Sequence, residues 1–277
     1  MPELPEAETI ARGLRTTVVG ERIVGARVLR ADILREPKRR FAPKLRGRTI
    51  TGVERRAKNV LIRLSGDRVL AVNLGMTGRL LPFRKPPRGR TRPGHPAVRL
   101  RFASGGVLIF DDTRRFGTVE CLTADEWNER AERFGPEPLG DGYRPDDLVR
   151  GLARSRAPIR SWLLDQRRIA GVGNIYAAEA LFLAGIHPRR RADQVHPQEA
   201  AALHGTLRDV LGDAIRAGGT TIRDYRNADG EEGGFARRLH VYGRDGDPCS
   251  RCGSAIERDM FAGRSAFFCP GCQPASS

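Results

Sequence analysis

The 277-residue chain has no run of about 18 apolar residues, which argues against a helical membrane span. Its opening, Met1 to Ile10, has no basic stretch followed by an apolar core, so no secretory signal is read there and a cytoplasmic protein is expected. No internal repeat is visible. Cysteine is scarce, with five in all, and only Cys121 lies outside the C-terminal segment. Acidic residues are also short: 33 Asp and Glu face 49 Lys and Arg, a formal net charge of +16. The sequence pI near 10.9 points to a polyanionic partner. Nucleic acid fits better than a membrane surface, because the basic residues are spread through folded-looking segments and not gathered on one amphipathic helix. The excess is mostly arginine, whose planar fork suits phosphate.

The pattern of what is present divides the chain. A helix opens at Leu4-Pro5, with Pro5 at or near the first helical position and Glu6 and Glu8 where the helix dipole favours negative charge. Ile10, Leu14 and Val18 recur every four residues to make an apolar face, and Gly20 supplies a stop. From Arg22 to Leu122 the period shortens to two. Val60 to Leu64 turns at Ser65-Gly66-Asp67 into Val69 to Val72, and Val98 to Phe102 turns at Ser104-Gly105-Gly106 into Val107 to Phe110. These are antiparallel hairpins of a sandwich or barrel. Phe83 to Pro96, rich in Pro, Arg and Gly, reads as a loop. Gly135 to Gly140 reads as a linker. Beyond it the pattern is helical: Asp146 to Ala153, Ile159 to Gln166, Ile175 to Leu183, and a long helix from Pro197 that Gly218-Gly219 ends. Arg223 to Arg237 is expected to be a flexible loop.

Four cysteines follow as Cys249-x2-Cys252, sixteen intervening residues, and Cys269-x2-Cys272. This is the spacing of a four-thiolate zinc site built from two tight knuckles. Two disulfides are the alternative, disfavoured by the missing secretion signal. The stretch before Cys269 suits a β-hairpin, and a metal would supply folding energy that so short a module cannot draw from a core. Four protein ligands leave no position for water, so the zinc is expected to be structural. Arg244, Arg251, Arg258 and Arg264 place positive charge around it. Cys121, in a strand context, is expected to be buried packing.

The N-terminus carries a second chemistry. If Met1 is removed, Pro2 exposes a secondary amine. An α-amino group has a pKa near 8 against about 10.4 for lysine, so roughly a tenth is neutral at pH 7. Such an amine can attack C1′ of a sugar, expel the base and leave an iminium ion as an electron sink. Glu3 beside it can shuttle protons. Alone, the same residues read first as an ordinary helix start, and catalysis is the lesser reading.

Several motifs in order carry a resemblance. They are Met1-Pro2-Glu3-Leu4-Pro5-Glu6, Arg56-Ala57-Lys58, Leu74-Gly75-Met76-Thr77-Gly78, Arg114-Arg115-Phe116-Gly117, Gly171-Val172-Gly173-Asn174-Ile175-Tyr176, Gly218-Gly219-Thr220-Thr221, Val241-Tyr242-Gly243-Arg244 and the four cysteines. Over essentially its whole length the chain resembles the formamidopyrimidine-DNA glycosylase (8-oxoguanine DNA glycosylase) family, with endonuclease VIII as its sister family. Leu4 favours the former, since the latter typically carries Gly there.

The resemblance implies an α+β multidomain protein: an N-terminal β-sandwich over 1–134, a helix-two-turns-helix region over 135–236 and a zinc finger over 237–277. It implies a bifunctional glycosylase and lyase of base excision repair, a monomer acting on damaged duplex DNA in the bacterial cytoplasm at the nucleoid. It would excise oxidised purines through a Schiff base on Pro2 and cut by β,δ-elimination. Glu3, Lys58 and Arg264 join Pro2 in the catalytic set, with Glu6 in support. Met76, Arg114 and Phe116 form a trio that fills the hole left by a flipped base. His95, Arg115, Asn174 and Tyr242 are further DNA contacts, and Cys249, Cys252, Cys269 and Cys272 hold one zinc.

On residue chemistry alone, Lys58 reads as a solvated strand lysine, and Met76 and Phe116 as core. The Gly171 to Asn174 run lacks the third glycine of a dinucleotide fingerprint and follows a helical segment. It suits a phosphate at a helix N-terminus instead. The chain departs from the family pattern at Asn73, where His is common, and at Arg156 or Arg160, where a lysine is common. The loop from Thr221 to Phe235, expected over the flipped base, carries Arg223 and Tyr225 and leaves lesion preference open. An endonuclease VIII-like preference for oxidised pyrimidines and a non-catalytic lesion-binding protein are the alternatives.

Overall fold

The computed structural model describes residues 2–220, 233–261 and 263–275. The expected loop residues Arg223 and Tyr225 lie outside them. Contacts divide the chain into two compact units, Met1–Arg133 with Ala217–Ala236, and Phe134–Arg216 with Arg237–Ser277. No described helix is long and apolar enough to cross a membrane.

The first unit begins with α1, Leu4–Val18, whose Ala7, Ile10, Ala11, Leu14 and Val18 are buried on the face read from the four-residue spacing. Gly20 follows at φ +89°, a left-handed turn that glycine takes without Cβ strain. Two four-stranded antiparallel sheets share one core with this helix. One runs β1 (Ile23–Val28), β6 (Pro96–Phe102), β7 (Val107–Asp111), β5 (Arg79–Phe83). The other runs β2 (Ile50–Arg56), β3 (Asn59–Leu64), β4 (Arg68–Asn73), β8 (Thr118–Thr123). Alternation sets the faces: Val98, Leu100 and Phe102 enter the core while Arg99 and Arg101 turn away from it. Each buried aliphatic side chain contributes about 1.5–3 kcal/mol. Cys121 lies fully buried in this core, and burial, then the Glu36 carboxylate, pushes its thiol up to about 11, so it is inert packing.

Two helices of this unit were not anticipated. In α2, Lys38–Leu45, Pro43 sits inside the helix and masked it in the sequence, yet Phe41 and Leu45 are buried beneath it. In α3, Ala124–Ala131, Thr123 and Glu126 form a reciprocal capping box. That box is a legible start signal.

The second unit holds α4 (Pro145–Ala153), α5 (Ile159–Leu164), α6 (Asn174–Leu183) and α7 (Pro197–Arg216). Leu203, Leu207, Val210, Leu211 and Ala214 form the buried face of α7. The segment read as a linker is docked: Gly135 N–H donates to the Gln166 carbonyl, Ala170 N–H donates to the Pro136 carbonyl, and a Cβ on Gly135 would lie 2.5 Å from the Arg168 carbonyl carbon. The hairpin β9 (Glu257–Phe261) and β10 (Arg264–Phe268) ends the unit. Phe267, Ile256, Cys249 and Cys269 pack with Ala178 and Phe182 of α6 in one small cluster.

Candidate active site

In the first unit the residues that lead into α1 are buried. Pro2 is buried, and Glu3 and Glu6 are each 1% exposed. Burying a carboxylate is costly unless donors satisfy it. Glu6 shows how this is met: one oxygen accepts the Glu3 N–H at 2.8 Å and the other accepts the Thr220 N–H at 2.8 Å. The first bond is half of a helix capping box. The second ties the helix start to the neck of the segment that follows Thr220. That neck is closed by an antiparallel bridge between Thr220 and Gly234, with Gly218 and Gly219 at positive φ. A Cβ on Gly233 would meet the Gly219 oxygen at 2.2 Å, so only glycine permits the strands of the neck to approach so closely. Lys58 is half-buried in the two-residue turn between β2 and β3, where Arg56 pairs with Asn59 and Ala57 takes φ +54°. It is a turn residue, not the strand lysine that its surroundings in the sequence suggest.

Met76 and Phe116 are not core. Met76 is 36% and Phe116 57% exposed. They sit on two loops that abut. Gly75, at φ +61°, would place a Cβ 2.4 Å from the Gly117 nitrogen. Asn73 caps the Met76 loop, accepting the Gly75 N–H at 3.0 Å, while its amide donates to Asn59. On the second loop the Arg114 guanidinium lies 4.7 Å from the centroid of the Phe116 ring. Between them Arg115 takes the left-handed conformation, φ +56°, and its exposed side chain pairs with Asp32 at 2.9 Å. His95 is exposed and lines one depression with Arg30, Asp112 and Arg115. Its N–H donates to Asp111 and its carbonyl accepts the Asp112 N–H.

In the second unit, two turns over 165–173 join α5 to α6. Gln166, which carried no sequence signal, organises them. Its Oε1 accepts the Gly171 N–H and its amide donates to the Val172 carbonyl, both at 2.8 Å. One of the turn's N–H groups is therefore used internally. Asn174 opens α6, and its amide donates to the Ser265 carbonyl on the finger hairpin. Arg160, 1% exposed, donates to Asn174 Oδ1 at 2.7 Å and to the same Ser265 carbonyl at 2.8 Å. Burial, and then Arg264, pulls its pKa below the usual arginine range. Arg156 is exposed, so Arg160 is the residue of the two that meets the α6 start. Glu179, buried on α6, accepts the N–H groups of His240, Val241 and Tyr242 at 2.8, 3.0 and 2.9 Å. It was not anticipated, and it fixes the turn that carries Tyr242.

The four cysteine sulfurs lie within 4.8 Å of one another. Cys249 and Cys272 are 3.8 Å apart, and Cys252 and Cys269 are 3.4 Å apart. Disulfides need about 2.05 Å. A tetrahedron with bonds of about 2.3 Å places sulfurs about 3.8 Å apart, so the donor set fits one zinc ion. The Arg251 and Cys272 N–H groups turn toward the Cys249 and Cys269 sulfurs, as knuckle amides do. Of the arginines around the finger, Arg264 is exposed, whereas Arg244 is spent on the carbonyls of Leu239, His240 and Pro248, and Arg251 caps the end of α6 over the Phe182 ring.

These sites coincide with three family models. Residues 1–119 match the formamidopyrimidine-DNA glycosylase N-terminal domain, 134–226 its H2TH domain, and 246–275 a zinc finger found in FPG and IleRS. Fold and sites together define a helix-two-turns-helix DNA glycosylase with a structural zinc finger. A formamidopyrimidine-DNA glycosylase of Chloroflexus aggregans is 44% identical, covering 99% of this chain and 98% of that protein. Two Lactococcus lactis Fpg structures, one a variant in complex with a Fapy-dG containing DNA and one with an abasic site containing DNA, each align with TM-score 0.91 at 34% identity, covering 99% of this chain and 100% of theirs. The chain belongs to the formamidopyrimidine-DNA glycosylase family.

Proposed function

We propose that the protein is a bifunctional glycosylase and lyase that removes oxidised purines, 8-oxoguanine and formamidopyrimidines, from duplex DNA. The carrying observation is the burial of Pro2, Glu3 and Glu6 together at the start of α1. Buried carboxylates beside a potential nucleophile are costly to a fold and suit proton transfer. Relatives with bound Fapy-dG and abasic DNA support the substrate class.

With Met1 removed, the Pro2 nitrogen attacks C1′ of the damaged nucleotide. The bond from C1′ to the base breaks, and the base leaves with a proton. Glu3 shuttles protons between the sugar, the leaving base and the Pro2 nitrogen. The C1′–O4′ bond of the sugar then opens, the ring oxygen taking a proton, and leaves an iminium between C1′ and the Pro2 nitrogen. This iminium accepts the electrons released when a proton is lost from C2′, and the 3′ phosphate is eliminated, followed by the 5′ phosphate. Met76, Arg114 and Phe116 occupy the vacated stack, and Arg114 reads the orphaned base. Lys58, His95, Arg115, Asn174, Tyr242 and Arg264 bind the DNA around the lesion. Zinc on the four cysteines would hold the finger hairpin and take no chemical part. The protein acts in the bacterial cytoplasm at the nucleoid, as a monomer.

Borohydride added during reaction with an 8-oxoguanine duplex is expected to trap a covalent adduct whose peptide maps to Pro2. An N-terminal extension should reduce trapping on the order of 10³-fold or more. Absence of any adduct with a processed Pro2 terminus, across oxidised-purine and abasic duplexes, overturns the reading.

A further inference from the structure

The proposed wedge must keep its shape while duplex DNA pushes against it. Two loops carry it, and neither is a regular element. Asp112, 1% exposed and immediately after β7, lies where both can be held. Its Oδ1 accepts the Thr77 hydroxyl at 2.5 Å, and Thr77 follows Met76 directly. Its Oδ2 accepts the Gly117 N–H at 2.8 Å, and Gly117 follows Phe116 directly. The Thr77 oxygen in turn accepts the Arg114 N–H at 3.0 Å. The turn Arg114 to Gly117 is therefore pinned at both ends: directly at Gly117, and through Thr77 at Arg114. Inside that turn Arg115 is held at φ +56°, a conformation disfavoured for a residue with a Cβ.

We infer that Asp112 is the positioning residue of the wedge, coupling Met76 to Arg114 and Phe116 so that the three enter DNA as one rigid body. The neighbouring Asp111 makes the contrast. Its carboxylate accepts the His95 N–H at 2.6 Å and the Arg79 guanidinium at 2.5 Å, and it makes neither of the wedge contacts. Two adjacent buried aspartates thus brace different segments, Asp111 as the last residue of β7 and Asp112 as the first residue beyond it. A buried carboxylate is suited to the role: it accepts two donors at fixed angles, and charge-assisted bonds are roughly twice as strong as neutral ones. An amide at the same place would present one N–H group to a donor.

The inference rests on the wedge reading of Met76, Arg114 and Phe116. It separates two steps of the reaction. Excising a stacked 8-oxoguanine requires the wedge to hold the base out, whereas a preformed abasic site has no base to extrude. Asp112→Asn and Thr77→Val should therefore slow single-turnover excision of 8-oxoguanine by about tenfold to a hundredfold, the range expected for a lost bond to a charged group. Borohydride trapping on a preformed abasic duplex should change less than threefold. Thr77→Ser, which keeps the hydroxyl, should restore excision. Preference for cytosine opposite the lesion should narrow in the two slow variants, since Arg114 loses its fixed direction.

Simple destabilisation would lower excision and trapping together and would not be rescued by serine. Equal losses in both steps, or wild-type excision by a folded Asp112→Asn or Thr77→Val protein, overturn the inference. Failure of the wild-type protein to trap at all would instead overturn the proposed function, so the two outcomes are distinct.

Discussion

The two units hold their functional segments by different means. In the first, loops are braced by buried carboxylates set into a large apolar core: Glu6 joins the start of α1 to Thr220, and Asp112 joins the two loops that carry Met76 and Phe116. In the second, the finger hairpin rests on a small cluster of seven buried residues and on four thiolates. Glu179 adds a third carboxylate brace, with three N–H groups converging on it. The difference follows from surface-to-volume scaling. A sandwich of eight strands can bury enough apolar area to support polar braces without help, whereas a hairpin of two five-residue strands cannot. The metal stands in for the missing core.

The contrast can be broken most sharply by taking the metal away. Structural zinc sites are worth on the order of 10 kcal/mol or more, so chelation or Cys249→Ser should unfold the hairpin and lower DNA affinity at least tenfold. Hydrogen exchange should show amides of β9 and β10 losing protection while β3, β4 and β7 keep theirs. Equal loss in both sets would mean that the sandwich is not self-sufficient.

A smaller effect is expected from Glu179→Gln, which leaves three converging N–H groups with one fewer acceptor site and a competing donor. The cost should be about 2–3 kcal/mol, read by urea unfolding of the second unit. DNA affinity should fall with it, because Tyr242 loses its anchor. Unchanged affinity would detach Tyr242 from the DNA-binding role.

The smallest effect should follow Gly75→Ala. The added methyl group meets the Gly117 backbone, and φ is +61°, so a loss of about 1–3 kcal/mol is expected. Calorimetry should locate it in the first unit alone. A neutral result would show that the loops carrying Met76 and Phe116 part more easily than their contact suggests.

Much of this was legible from residues alone. Period-two alternation marked β3, β4, β6 and β7, and the four-residue spacing in α1 and α7 marked their buried faces. Cysteine spacing named the ligands of the finger. The capping box of α3 was equally legible from Thr123 and Glu126, and was missed. By contrast α2 was hidden by Pro43, whose place in a short helix is tolerated because Phe41 and Leu45 are buried there. Gln166 and Glu179 carried no signal, since an amide or carboxylate in a sequence says nothing of which N–H groups will face it. The same holds for the exposure of Met76 and Phe116, which local sequence assigned to the core.

The sequence by itself determined the ingredients: a strong basic excess, four thiolates at zinc spacing, and strands and helices whose periodicity names their inward faces. Those properties depend on residue type and local order, which a linear chain carries in full. Only the tertiary structure decided which polar groups meet. Glu6 finds Thr220 across 214 positions, Arg160 finds Ser265 across 105, and Asp112 finds Thr77 across 35. Such bonds are chosen by how packed layers bring distant loops together, and the cost of leaving a buried donor or acceptor unmade holds them there once the core has closed.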